Sequence, residues 1–240
     1  MAADLFIRAA CMDWDWVDKD SYLWNIPAIA GVERVDFEKP VTCFVGENGS
    51  GKSTLLEAMA INCGFNPEGG TKHYSFSTFD SHSELNRCMR LIRAPKKPRW
   101  GYFLRAESFY NVATAEAEYS RSGGVPLHLH EKSHGESFLA AAQNNFQPGG
   151  VYFLDEPEAA LSPQRQLTLL REIHLCAQAG AQFFIVTHSP ILLGLPDAAI
   201  LSFDDGPLHP IAYEDTDSYR ITSLFLLDRK RILHSLLEEE

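Results

Sequence analysis

The run Gly46-Glu47-Asn48-Gly49-Ser50-Gly51-Lys52-Ser53-Thr54 fits G-x-x-x-x-G-K-[ST], a glycine loop whose backbone N–H groups cradle phosphate. Its glycines permit a tight turn and close approach to an anion. Lys52 supplies a point charge for β- and γ-phosphates, and Ser53 a hydroxyl for Mg²⁺. A second group lies far downstream, in Val151-Tyr152-Phe153-Leu154-Asp155-Glu156-Pro157-Glu158. Four apolar residues followed by two acids place both carboxylates at the C-terminal edge of a strand, where parallel α/β sheets bind ligands. Asp155 is expected to hold Mg²⁺, directly or through water, and Glu156 to act as general base on an attacking water. Thr187-His188-Ser189-Pro190 closes the next apolar run. His188 is thereby expected beside the two acids, where it can hydrogen-bond a γ-phosphate or hold the water.

The elements that must position these residues are legible around them. Val41–Val45 is a short apolar, β-branched run that reads as a buried strand leading into the loop, and Ser53–Ala60 as the helix that follows, with Gly64 as its stop. Ser137–Phe146 reads as a short helix closed by Pro148-Gly149-Gly150, and Val151–Leu154 as a buried strand. Ser162-Pro163 is an N-cap with proline at the first helical position. Leu167, Leu170, Ile173, His174 and Ala177 form the expected inner stripe of that helix, which Gly180 ends. Phe183–Val186 is another buried strand. Strands alternating with helices imply a mostly parallel sheet covered on both faces. Further candidates are strands at Leu5–Ala10, Tyr22–Ile26 and Trp100–Leu104, a short basic helix over 84–94, and a C-terminal helix over about 219–238. Residues 65–83 read as a loop and 111–132 as irregular chain.

The 240 residues suit one α/β domain carrying an insertion, placed at about 65–132. A hydrophobic content of 45% is enough for a real core. The formal charge of −11 argues against wholesale coating of nucleic acid, which needs clustered Lys and Arg. The five cysteines are odd in number, widely spaced and form no C-x-x-C pair, so a reducing, cytoplasmic setting is expected. The first residues lack the apolar core of a signal peptide. No run approaches the ~18 apolar residues of a membrane helix.

Taken together, the glycine loop, the apolar-Asp-Glu-Pro strand, the Leu161-Ser162-Pro163 turn and the Thr-His-Ser strand end resemble the ATP-binding cassette (ABC) ATPase superfamily. The spacing is most similar to its soluble branch of RecF-, SMC- and OLD-like ATPases, and to short stand-alone bacterial members of it. The resemblance runs from about Leu23 to Phe203. It implies a P-loop NTPase of the α/β class with an antiparallel N-terminal portion and a reduced helical or irregular insertion. It also implies an ATPase that uses ATP and Mg²⁺ and closes as a head-to-tail homodimer. In that family a signature motif opens a helix facing the γ-phosphate bound to the other subunit. Lys132-Ser133-His134-Gly135-Glu136 stands where the family places it, with Ser133 and Gly135 matching, Glu136 standing for a glutamine and His134 replacing a glycine. The family's glutamine between loop and signature is absent, since no glutamine precedes Gln143. Glu107 stands in that place, either as a ligand to Mg²⁺ or its water or as an exposed loop acid. For the aromatic that stacks on adenine, Tyr22 and Trp24 are candidates.

From Leu85 to Ala106 the chain carries Arg87, Arg90, Arg93, Lys96, Lys97, Arg99 and Arg105 and no acid. Against a negative background this island is either a solvated face or a contact for nucleic acid or an acidic protein partner. The leading functional expectation is an ATP-driven dimerising switch acting in DNA maintenance or defence. The alternative is the nucleotide-binding subunit of a membrane transporter, which the altered signature and missing glutamine weaken. A GTPase is disfavoured because no N-K-x-D motif is present.

Overall fold

Alternate residues on three neighbouring strands divide into two apolar sets, and this division builds the molecule. In the computed structural model, which describes residues 5–71, 84–105 and 134–237, the strands β3 (Val41–Val45), β6 (Gly150–Asp155) and β7 (Gln182–Val186) are buried along their whole length. Phe44, Val151, Phe153, Phe184 and Val186 enter one core, while Val41, Cys43, Val45, Tyr152, Leu154, Phe183 and Ile185 enter the other. A strand exposes alternate side chains to opposite faces, so uninterrupted apolar runs require cover on both sides.

The cover on the first face is the helix α1 (Lys52–Asn62) and a small antiparallel sheet. That sheet has the order β2 (Arg34–Asp36), β1 (Ile7–Met12), β4 (Met89–Arg93). Leu55, Leu56, Ala58, Met59 and Ala60 are all buried, as expected of a helix held between two layers. The second face is covered by α3 (His134–Asn145), α4 (Pro163–Gln178) and α5 (Pro190–Leu193) through Ala141, Ala142, Leu169, Ile173, Leu192 and Leu193. The main sheet has the order β5-β6-β7-β3-β8-β9, with β5 at Trp100–Arg105, β8 at Ala199–Ser202 and β9 at His209–Pro210. All its pairings are parallel except β8 with β9. This is an α/β P-loop NTPase fold with an antiparallel N-terminal portion. A short α2 (Leu85–Cys88) precedes β4, and α6 (Asp217–Leu227) and α7 (Arg229–Leu237) end the described chain.

The two sheets are tied by one side chain. The amide of Gln182, 1% exposed, accepts from Ile7 N at 2.9 Å and donates to Ile7 O at 2.8 Å. It satisfies both main-chain groups of Ile7, which pairs with Arg93 of β4 just before the register of β1 slips between Ile7 and Ala9. A buried polar group left without its partner costs about 1–3 kcal/mol, and replacing Gln182 with leucine strands two. Gln182→Leu is therefore expected to lose about 2–4 kcal/mol of stability, read as a lower urea midpoint at unchanged slope. A midpoint equal to wild type would show that the amide does not support the junction.

Several sequence expectations are corrected here. Tyr22–Asn25 is a 3₁₀ turn, not a strand. Ser21 caps it by accepting from Leu23 N, and only Leu23 of its residues is buried, so the alternation of a strand is missing. Of residues 84–94, Leu85–Cys88 are helical as expected, but Met89–Arg93 form a strand: Met89 and Leu91 point inward and Arg90 and Arg93 outward, and pairing with β1 overrides the helix-like spacing of the arginines. The C-terminal helix is two helices broken at Asp228, whose carboxylate accepts from Arg231 N at 3.3 Å. In α4 the buried stripe is Leu169, Ile173 and Cys176, whereas Leu167 is exposed. Ser162 occupies the N-cap position without a side-chain cap bond.

Candidate active site

Four parallel strands end at one level. The register pairs Phe44 and Asp155 each with Val186, and Val45 with Ser202. The chain segments leaving that edge are the glycine loop, Asp155-Glu156, Thr187-His188 and Phe203-Asp204. This is the crevice at which open α/β sheets bind ligands.

The loop turns through left-handed backbone before α1 begins. Gly51, at φ 97°, is the N-cap of α1. A Cβ there would lie 2.6 Å from Ile26 Cγ2 and 2.9 Å from Ile29 Cδ1, so both conformation and space demand glycine. The first N–H groups of α1 have no partner within the helix and add the positive end of its dipole, which favours an anion. Asn48 and Gly49 are exposed at the loop's crest, and Ser50, Ser53 and Thr54 are half-buried. Lys52 is buried, and its Nζ donates to Gly46 O and Glu47 O, both at 2.7 Å. Burial pushes the pKa of Lys52 down, opposed by the acids around it, Glu156, Asp204, Asp155 and Glu47. Its hydrogen-bond acceptors here are neutral, so an anionic phosphate oxygen is a stronger partner than either carbonyl.

Ser53 Oγ donates to Asp155 Oδ1 at 2.8 Å. Asp155 Oδ2 lies 3.5 Å from Arg105 Nε, and Arg105 Nη1 reaches Glu57 Oε2 at 2.6 Å and Pro67 O at 3.0 Å. Ser53 and Glu57 lie one turn apart on α1, and Arg105 is the register partner of Asp155. The four side chains thus form a ring across α1, β5 and β6. Buried and bonded on two sides, the Asp155 carboxyl group is fixed beside the Ser53 hydroxyl. That pair of oxygens suits the hard cation that accompanies a nucleotide.

Glu156 has a positive φ of 49° and is held by its N–H, which donates to Val186 O at 3.0 Å. Its Oε1 stands 3.9 Å from His188 Nε2. His188 N donates to Glu158 Oε1 at 2.6 Å, which fixes the backbone bearing the imidazole. His188 Nε2 is buried with no hydrogen-bond partner. Ser189 Oγ accepts from Ile191 N and Leu192 N and donates to Gln166 Oε1 at 2.6 Å, and Gln166 Nε2 donates to Leu161 O. The segments after β6 and β7 are thereby laced together. An unsatisfied imidazole nitrogen, a cation facing neutral acceptors and a serine–carboxylate pair fit a bound magnesium–nucleotide.

The structure brings Gly46–Thr54, Asp155, Glu156 and His188 to one place. Gly135 and Glu136 open α3, which packs on α4 and on β5, the strand separated from β3 by β6 and β7. Ser133 and Glu107 lie outside the described residues. Of the two aromatic candidates, Trp24 has its ring against Trp14 at 4.7 Å and donates to Asp18 O. Tyr22 is about half exposed, in the turn preceding the Ile26 and Ile29 that flank Gly51.

Sequence reasoning missed Arg105, Glu57, Glu158 and Asp204. Arg105 was grouped with the surface basic island, but it is turned into the ring. The remaining cations of that island divide: Arg93 Nη2 donates to Asn62 O, Lys96 lies over the Phe6 ring, and Lys97 and Arg99 are exposed. Asp204 accepts from Glu47 N at 2.8 Å and so ties down the loop from β8. A last-residue position on a strand flanking Asp155 was the one available signal for Arg105. For Asp204 no local pattern exists.

A family model described as an AAA domain matches residues 23–123. A second AAA-domain model, whose description names the AbiEii toxin of type IV TA systems, matches residues 135–194. The chain is an ABC/AAA-type P-loop ATPase. Among curated proteins, this ATPase is 29% identical over 167 residues to the hemin import ATP-binding protein HmuV of Pseudomonas aeruginosa. The match covers 60% of this chain and 64% of HmuV, so the chain spans less than two thirds of that relative's length. Among solved structures, the SMC head domain from Thermotoga maritima is 15% identical, with 87% of this ATPase and all of that chain covered at a TM-score of 0.47. A protein described as an inward-facing metal-chelate type ABC transporter is 19% identical, with coverages of 93% and 89% and a TM-score of 0.46. No described helix is long and apolar enough to cross a membrane.

Proposed function

We propose that this ATPase is a MgATP-driven switch in which two copies close head to tail on ATP, hydrolyse it and reopen. The observation that carries this reading is the 2.8 Å contact of Ser53 with Asp155, which joins the glycine loop to the acidic strand end. Lys52 and the loop N–H groups bind the phosphates, and Ser53 and Asp155 hold the metal, with Glu107 as a further ligand. The metal, when bound, neutralises charge on the β- and γ-oxygens. Arg105 orients Asp155. Glu156 takes the proton of the attacking water, and His188, its Nε2 unsatisfied, orients that water or the γ-phosphate. Ser133, Gly135 and Glu136 close the site from the other copy. The placement of α3 at the β5 side of the sheet, away from the loop of its own chain, supports that trans arrangement.

A shared site is tested by complementation. Lys52→Ala disables the loop and Ser133→Arg the signature, and each variant alone is expected to be inactive. Co-purified one to one, they contain one intact composite site and are expected to recover hydrolysis. Absence of recovery in a mixture shown to contain both chains would overturn the head-to-tail arrangement.

The partner is proposed to be nucleic acid or an acidic protein, in DNA maintenance or defence. Exposed Arg93, Lys96, Lys97 and Arg99 supply the positive surface, and a family description naming a toxin of TA systems is in keeping with defence. A second reading, a transporter's nucleotide-binding subunit, is favoured by the identity with HmuV alone.

A further inference from the structure

The two C-terminal helices leave the body almost unpacked. Thr216, the N-cap of α6, is buried, but neither α6 nor α7 contains a buried residue. Ile221, Leu224, Phe225, Leu226 and Leu227 on α6 and Leu236 and Leu237 on α7 are all exposed, Leu227 at 87% and Leu226 at 74%. Single exposed leucines are ordinary, but seven large apolar side chains exposed on two consecutive helices are a concentration of the kind that marks an interaction surface.

The charges at the two ends of the patch indicate what covers it. Glu214, Asp215 and Asp217 stand at the start of α6, and Arg229, Lys230 and Arg231 begin α7 at its other end. The intervening eleven-residue helix places these clusters roughly 16 Å apart. Acid at the start of α6, base just past its end and the apolar residues of α6 between them make a self-complementary strip, with Leu236 and Leu237 beyond it. Laid antiparallel on an identical strip across a two-fold axis, each acidic end meets a basic end and the leucines meet in the middle, as an isologous interface requires.

We propose that the α6–α7 segment is a nucleotide-independent dimerisation surface for a second copy of this chain, paired antiparallel through Asp215 and Asp217 against Arg229 and Arg231. The first turn of α6 also lines a cleft of about 580 Å³ that Gly46, Asn48, Glu156 and His188 border from the other side. A partner held on α6 therefore sits next to the nucleotide site and keeps a second ATPase domain at hand. The pairing is separate from the ATP-driven closure proposed above and does not rest on it.

The test is solution mass by light scattering, without nucleotide, on the full chain and two charge-reversed forms. One form carries Asp215→Lys with Asp217→Lys, and the other Arg229→Glu with Arg231→Glu. All four residues are exposed, so both forms should keep the wild-type circular dichroism spectrum. Wild type is expected at twice the 26.9 kDa chain mass. Each variant alone should fall to the single-chain mass, because like charges then face each other. A one-to-one mixture should return to the doubled mass, since the lysines introduced in one form then meet the glutamates introduced in the other. A monomeric wild type, a variant that stays dimeric alone, or a mixture that stays monomeric would each overturn the proposal. None of these results bears on ATP-driven closure, which the composite-site assay reads separately.

Discussion

Replacing Glu156 with glutamine is expected to lower ATP turnover by about 10²–10⁴-fold while nucleotide remains bound. Glutamine has the same shape and still hydrogen-bonds, but it cannot accept the water's proton. The backbone should tolerate it, because Glu156 is held in its left-handed conformation by the N–H bond to Val186 O and not by its side chain. Lys52, Ser53 and Asp155 are untouched, so binding of a fluorescent ATP analogue should persist while phosphate release stops. Retained turnover would remove Glu156 as the base. The same variant, held with MgATP, is expected to keep the proposed closed state long enough to identify its partner. Nucleic acid that is removed by nuclease and shed steeply with salt, as counterion release demands, supports the proposed partner. Retention of a membrane protein selects the transporter reading instead.

Lys52→Ala is expected to weaken MgATP binding by about 100-fold or more. The side chain makes two charge-assisted hydrogen bonds at 2.7 Å that a phosphate can take over. Each such bond contributes about 1.5–3 kcal/mol, and 1.4 kcal/mol is a factor of ten in affinity. Burial already pushes the pKa of Lys52 down, and an anion beside it favours the charged form. Calorimetric titration measures the loss. Thermal melting of the nucleotide-free variant separates it from collapse of the loop, because Gly46 O and Glu47 O also lose a donor. Unchanged affinity would dissociate Lys52 from phosphate binding.

The parts of the site legible in the sequence were those encoded locally. The glycine loop, Asp155-Glu156 and His188 each follow an apolar run whose length and β-branched or aromatic content mark a buried strand, so their place at a common edge could be read directly. Tyr22–Asn25 was misread because Tyr and Trp favour strands, whereas the cap at Ser21 and the stop at Pro27 decide the backbone. The strand at Met89–Arg93 was hidden by arginines spaced every three residues, a helical period that pairing with β1 overrules. Arg105 and Asp204 enter the site only through the registers of β5 on β6 and β8 on β3. Those registers are long-range facts with no local signature.

The strand order has a consequence for how the site keeps its dimensions. β7, which carries His188, lies between β3 with the glycine loop and β6 with the two acids. Adjacent strands stand ~4.8 Å apart, so the strands that carry the loop and the acids are held about two such spacings apart by backbone hydrogen bonds. The sheet acts as a ruler graduated in strands. Substitutions in the helices on either face can change how tightly the ruler is clamped, but they leave its divisions alone.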